Sequence, residues 1–186
     1  MKYLEIRRIP GNSLPSLTLA TDSSIAVNGK PVFLPDFSSR WELRLYPAYR
    51  ISRLGKTISE RFAPRYYDAV TLAARLIPLD LVDRLGMQGE SLSPLAMAFD
   101  GAIALGKWLP LPDDASDLQV SYTEGVCKPI RSKIINSEIE YLSRGFILKN
   151  GDVIACGDPL LVVPVNIDTR FEASIGDSVA LSFNIK

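Results

Sequence analysis

The stretch Gly151-Asp152-Val153-Ile154-Ala155-Cys156-Gly157-Asp158-Pro159 constrains the chain most. Asn150-Gly151 is a strong turn signal, and Val153 and Ile154 favour an extended, buried backbone. Gly157-Asp158-Pro159 permits a close backbone approach before Pro159 stops the hydrogen-bond ladder. The stretch therefore reads as a short apolar strand clamped between two glycine turns, and a strand that ends this way often presents its polar residue, here Asp158, to a pocket. Taken alone, the same residues also fit an ordinary hairpin loop.

The segments before it supply the rest of a β-rich domain. Leu4 to Ile9 and Leu17 to Ala20 read as strands separated by Pro10-Gly11-Asn12. Asn28-Gly29 reads as a tight hairpin turn between Ile25-Ala26-Val27 and Val32-Phe33-Leu34. From Trp41 to Ile51 residues alternate, with Glu42, Arg44, Tyr46 and Ala48 on one face and Leu43, Leu45, Pro47 and Tyr49 on the other. Pro47 lacks an amide donor, which places that strand at an edge or a bulge in it. Ser59 is positioned to cap a short helix that tolerates Pro64. Val70 to Ile77 fits a strand, with a continuous helix as the competing reading. Leu79 to Pro94 reads as a short helix and a mobile loop, and Pro112-Asp113-Asp114 as a surface loop. Ser137 is placed to cap a helix that Gly145 ends in a left-handed conformation. Leu160 to Val165 reads as a buried strand, and Val179 to Ile185 closes the sheet. The fold class expected from this pattern is α+β, β-rich, in a single domain over residues 1–186.

Lys+Arg and Asp+Glu are both 21, so net charge gives no case for nucleic acid or an anionic membrane surface. Cys127 and Cys156 lack metal-ligand spacing and do not form a disulfide framework. The N-terminus has no apolar core of a signal peptide, and no stretch approaches a membrane span in length. The chain therefore reads as soluble and cytoplasmic. It contains no histidine, which excludes Ser-His and Cys-His dyads outright.

Together with Leu54-Gly55-Lys56, Phe99-Asp100-Gly101, Leu105-Gly106 and Ile175-Gly176-Asp177, the Gly157-Asp158-Pro159 turn resembles the fumarylacetoacetate hydrolase family, in that family's order from about Asp22 to Lys186. The resemblance implies strands coiled into a partly open β-roll, assembled as a homodimer. It also implies metal-dependent hydrolase, isomerase or decarboxylase chemistry on 2-oxo and 2-hydroxy-dienoic acids, with a divalent ion held by hard carboxylates. Aligned on Arg53-Leu54-Gly55-Lys56, the family's Glu-x-Glu pair falls on Arg44 and Tyr46, and its third ligand, an Asp, falls on Arg75. A slip of two residues recovers Glu42 as one ligand but displaces the turn that anchors the match. The family's Lys falls on Met97, and the Thr of its Gly-Thr-Pro turn on Asp158. Gly29, Pro31, Gly55, Gly101, Gly106, Gly151, Asp152, Gly157 and Gly176 all stand as in the family pattern, as does Asp100.

The resemblance thus matches in scaffold and departs in chemistry. Three carboxylates with Mg²⁺ carry a formal charge of about −1, whereas Arg44, Tyr46 and Arg75 carry about +2, which disfavours a hard dication. No metal or other cofactor is expected. Two readings follow for the charged cluster. In one, Asp158 pairs with Arg44 or Arg75, because buried guanidiniums do not remain unpaired at low cost. In the other, Arg44, Tyr46 and Arg75, with Asp100 and Asp158, bind a small carboxylate or phosphate. The function expected is that of a catalytically degenerate family member that binds a small carboxylate or a partner. The runner-up is an active enzyme on a 2-oxo acid, for which Glu42, Asp100 and Cys156 are the nearby candidate bases.

Overall fold

Apolar and polar residues alternate through Trp41–Ile51, and this strand, β4, is the spine of the molecule. It pairs antiparallel along its length with Tyr67–Pro78, β5, whose interior is buried on both faces. The strand reading of residues 70–77 therefore holds over the helical one; burial on both faces of a sheet accounts for the nearly unbroken apolar run. The structure is a computed structural model that describes residues 1–87, 94–112, 116–131 and 133–186. The loop expected before Pro94 and the acidic pair Asp113-Asp114 lie outside the described residues.

The N-terminal strand β1, Lys2–Arg7, pairs antiparallel with β2, Ser16–Thr21, and parallel with β10, Val153–Cys156. β10 in turn pairs with the second half of β4, and β11, Leu161–Pro164, with the first half. On the far side of β5 lie β6, Ile103–Leu105, and the two-residue β7, Leu109–Pro110; β3, Ile25–Val27, completes the sheet beside β6. The resulting nine-stranded sheet curls into a half-barrel. A second sheet contains β8, Val120–Tyr122, β9, Gly125–Val126, β12, Arg170–Ile175, and β13, Ser178–Asn184. Where β6 ends, the backbone passes so close to β13 that a Cβ on Gly106 would sit 2.3 Å from the Ala180 carbonyl oxygen. Helices α1, Leu79–Met87, and α2, Pro94–Met97, follow β5; α3, Ile134–Gly145, packs against β10.

Several local expectations are corrected. Ile25–Val27 does not form a hairpin with Val32–Leu34: β3 runs parallel to β6, while Val32 bridges to Ile185, because the Gly29 amide is drawn to the Ser182 carbonyl. Pro47 lies neither at an edge nor at a bulge. Its missing donor is tolerated because β10 pairs only to Ala48 and β11 begins at Leu45, leaving a gap opposite Pro47. Residues Glu60–Arg65 form a 3₁₀ segment without a Ser59 side-chain cap. α3 begins three residues before Ser137, behind a left-handed Lys133 at φ 65°; Gly145 is its last helical residue and is not left-handed. β11 is half-exposed rather than buried, and the last strand belongs to the second sheet.

Candidate functional site

Strand registers gather the charged residues on one face of the large sheet. Arg75 of β5 stands directly opposite Arg44 of β4, and Ala73 opposite Tyr46. On the other flank Ala155 stands opposite Ala48, and Glu5 opposite Ala155. Directly paired residues point to the same face, and alternation adds Tyr3, Arg7 and Glu42. One face thus carries three arginines, two glutamates and two tyrosines, contributed by β1, β4 and β5.

Arg75 is the centre of this cluster and is 1% exposed. Its Nη1 donates to Glu5 Oε1 at 2.8 Å, and its Nη2 to the Met97 carbonyl at 3.3 Å and to Met97 Sδ at 3.0 Å. Its Nε, equally buried, has no hydrogen-bond partner among the described residues. The Tyr3 hydroxyl approaches Glu5 Oε2 at 3.5 Å, the long limit of a hydrogen bond. Burial, reinforced by Glu5, pushes the Tyr3 phenol well above its ordinary range, and the same two causes raise Tyr46 to about 12 against the pull of the arginines. Both phenols are neutral donors at physiological pH. Arg44 is held differently: its Nε donates to Glu42 Oε1 at 2.6 Å, and both side chains remain partly exposed.

These partners correct the pairing expected for Asp158. Arg75 takes Glu5 and Arg44 takes Glu42, while Asp158 is exposed and lines a cavity with Pro47 and Cys156. Pro47 and Cys156 alternate with Tyr46 and Ala155, so that cavity opens on the opposite face of the sheet. Asp100 sits exposed in the turn after α2 and takes part in neither of these ion pairs. Among the bases considered, Glu42 is engaged by Arg44. Cys156 is fully buried, and burial, with Glu138 adding to it, pushes its thiol far up, so no thiolate forms there at neutral pH. Sequence reasoning missed Glu5. Its signal was a lone carboxylate inside the apolar run Tyr3-Leu4-Glu5-Ile6, a pattern that places a charge in a buried strand.

A divalent ion does not fit this face. Mg²⁺ and Mn²⁺ need several hard oxygen ligands. Positions 44, 46 and 75 offer two guanidiniums and a neutral phenol, and the nearby carboxylates are already engaged. Among the described residues, no group of three or more His, Cys, Asp or Glu side chains could hold a metal, and no helix is long and apolar enough to cross a membrane. On this face three cations, Arg7, Arg44 and Arg75, stand with two carboxylates, Glu5 and Glu42.

No protein-family model matches the sequence. Over 95% of this chain and 87% of its own length, a mitochondrial oxaloacetate tautomerase of Caenorhabditis elegans is 27% identical; the human mitochondrial oxaloacetate tautomerase is 22% identical over 94% and 82%. Two solved structures superpose over the whole of this chain. A fumarylacetoacetate hydrolase family protein from Yersinia pestis has a TM-score of 0.83 at 19% identity, with 93% of it covered. A fumarylpyruvate hydrolase from Pseudomonas aeruginosa, crystallised with Mn²⁺ and pyruvate, has a TM-score of 0.82 at 17% identity, with 89% covered.

Proposed function

We propose that the chain is a metal-independent, catalytically silent member of the fumarylacetoacetate hydrolase family, which its sequence relatives and its fold resemble, and that it binds a small carboxylate on the Arg44 face of its sheet. The carrying observation is the Glu5–Arg75 ion pair, with side chains 10% and 1% exposed, at the place where the resemblance puts a metal ligand. Breaking such a pair costs about 3–5 kcal/mol, because a buried charge is left uncompensated. Arg75 therefore acts as a fixed internal cation. The Arg44–Glu42 pair is partly exposed, and pairs of that kind contribute only about 0–1 kcal/mol, so an incoming carboxylate can take Glu42's place on the guanidinium. Tyr46, neutral and buried beside it, supplies a second donor. Asp100 and Asp158 have no part in this binding.

A second reading, an active enzyme on a 2-oxo acid, is favoured by the relatives described as oxaloacetate tautomerases. Calorimetric titration with oxalate and oxaloacetate, with and without Mn²⁺, separates the two when combined with a continuous assay of oxaloacetate enolisation. The proposal expects ligand heat that is independent of Mn²⁺ and lost in Arg44→Gln, without turnover. Mn²⁺-dependent turnover would establish the second reading instead. The proposal also places the protein as a cytoplasmic homodimer. Cell fractionation tests the location, since the curated relatives carry mitochondrial names.

A further inference from the structure

We infer a second ligand site, on the opposite face of the sheet from Arg44, that takes an acidic α-amino acid. The cavity lies between the turn after β10, residues 128–131 and the first turn of α3, and encloses about 400 Å³. Lys128, Arg131 and Asp158 line it, and all three are exposed to it without a side-chain partner among the described residues. Pro47, Ile134 and Leu160 contribute apolar wall.

The charge pattern selects the ligand. Two cations and one carboxylate in a single cavity complement two carboxylates and one ammonium, which is the charge set of aspartate or glutamate. A dicarboxylate without an amine leaves Asp158 facing anions, and phosphate meets the same repulsion with no group to satisfy that carboxylate. The apolar wall accommodates the connecting methylenes. Gly157, at φ 85°, makes the turn that carries Asp158 to the cavity, and a Cβ there would meet Ile134 Cδ1 at 2.9 Å.

The test is calorimetric titration of the full chain with L-aspartate, L-glutamate, succinate and inorganic phosphate. One or both amino acids are expected to bind with one-to-one stoichiometry in Arg44→Gln, where the other face takes no carboxylate, and there at least about tenfold more tightly than succinate or phosphate, a margin typical of one charge-assisted hydrogen bond. Asp158→Asn is expected to abolish that preference, and the double variant Lys128→Gln, Arg131→Gln to weaken amino-acid binding by about tenfold or more. Arg44→Gln is expected to leave it unchanged, which separates this site from carboxylate binding on the other face. Thermal melts establish that each variant is folded. The inference is overturned by absence of heat from both amino acids at millimolar concentration, by a preference that survives Asp158→Asn, or by loss of amino-acid binding in Arg44→Gln.

Discussion

Arg75 shows what a single side chain can decide. Its guanidinium is buried, so its partner matters more than any surface pair on the molecule. Glu5→Gln is expected to destabilise the chain by about 3–5 kcal/mol in urea unfolding, and the double replacement Glu5→Leu, Arg75→Met to recover most of that loss, since hydrophobic residues of similar volume replace buried ion pairs at little cost. A double variant no more stable than Glu5→Gln would show that the pair is not what holds this face together. Asp152 belongs to the same scale. Burial raises its pKa, but the Lys2 ammonium and the Lys2 and Lys149 amides more than offset this and hold the carboxyl below its ordinary range. Its stabilising contribution is therefore complete above about pH 4, the ordinary carboxyl value, and is lost as pH falls through the lower folded value. Denaturant midpoints measured from pH 6 downward should fall less steeply in Asp152→Asn than in the parent chain.

Among the elements, β4 was legible to the residue because alternation and length agreed, and the β10 clamp because glycine permits the turns at its ends while β-branched residues favour the strand between them and proline stops it. Pro47 was misread because its tolerance depends on two strands that leave a gap opposite it, and sequence neighbours do not encode that gap. The start of α3 was misplaced for a related reason. Ser137 looks like a cap, but its hydroxyl bonds back to the Ile134 carbonyl inside the helix, while Lys133 adopts the left-handed turn that begins it. Glu5 escaped notice because β1 meets β10 across almost the whole chain, a pairing with no local signature. Gly157→Ala tests the clamp: with a left-handed φ, and a Cβ that would displace the end of the Ile134 side chain, it is expected to lower stability by about 1–3 kcal/mol. A neutral result would mean the turn relaxes freely.

For the whole molecule, the glycines and the order of motifs carried the family likeness, because they mark turns and close approaches that the fold requires wherever it occurs. The substituted positions carried the departure from the family's residue pattern, and Arg75, at one of them, pairs with Glu5. The partner of Arg75 was not legible, since Asp158, the nearest candidate in the motif, faces the other side of the sheet. A homodimer is expected by multi-angle light scattering, and a monomer at micromolar concentration would remove that part of the proposal. The most direct measurement is a crystal of the chain soaked with Mn²⁺ and oxalate, with anomalous diffraction recorded at the manganese edge. The expected result is no anomalous peak among residues 44, 46 and 75, the Glu5–Arg75 pair intact, and oxalate on Arg44. An octahedral manganese peak at those residues, with Arg75 displaced from Glu5, would contradict it.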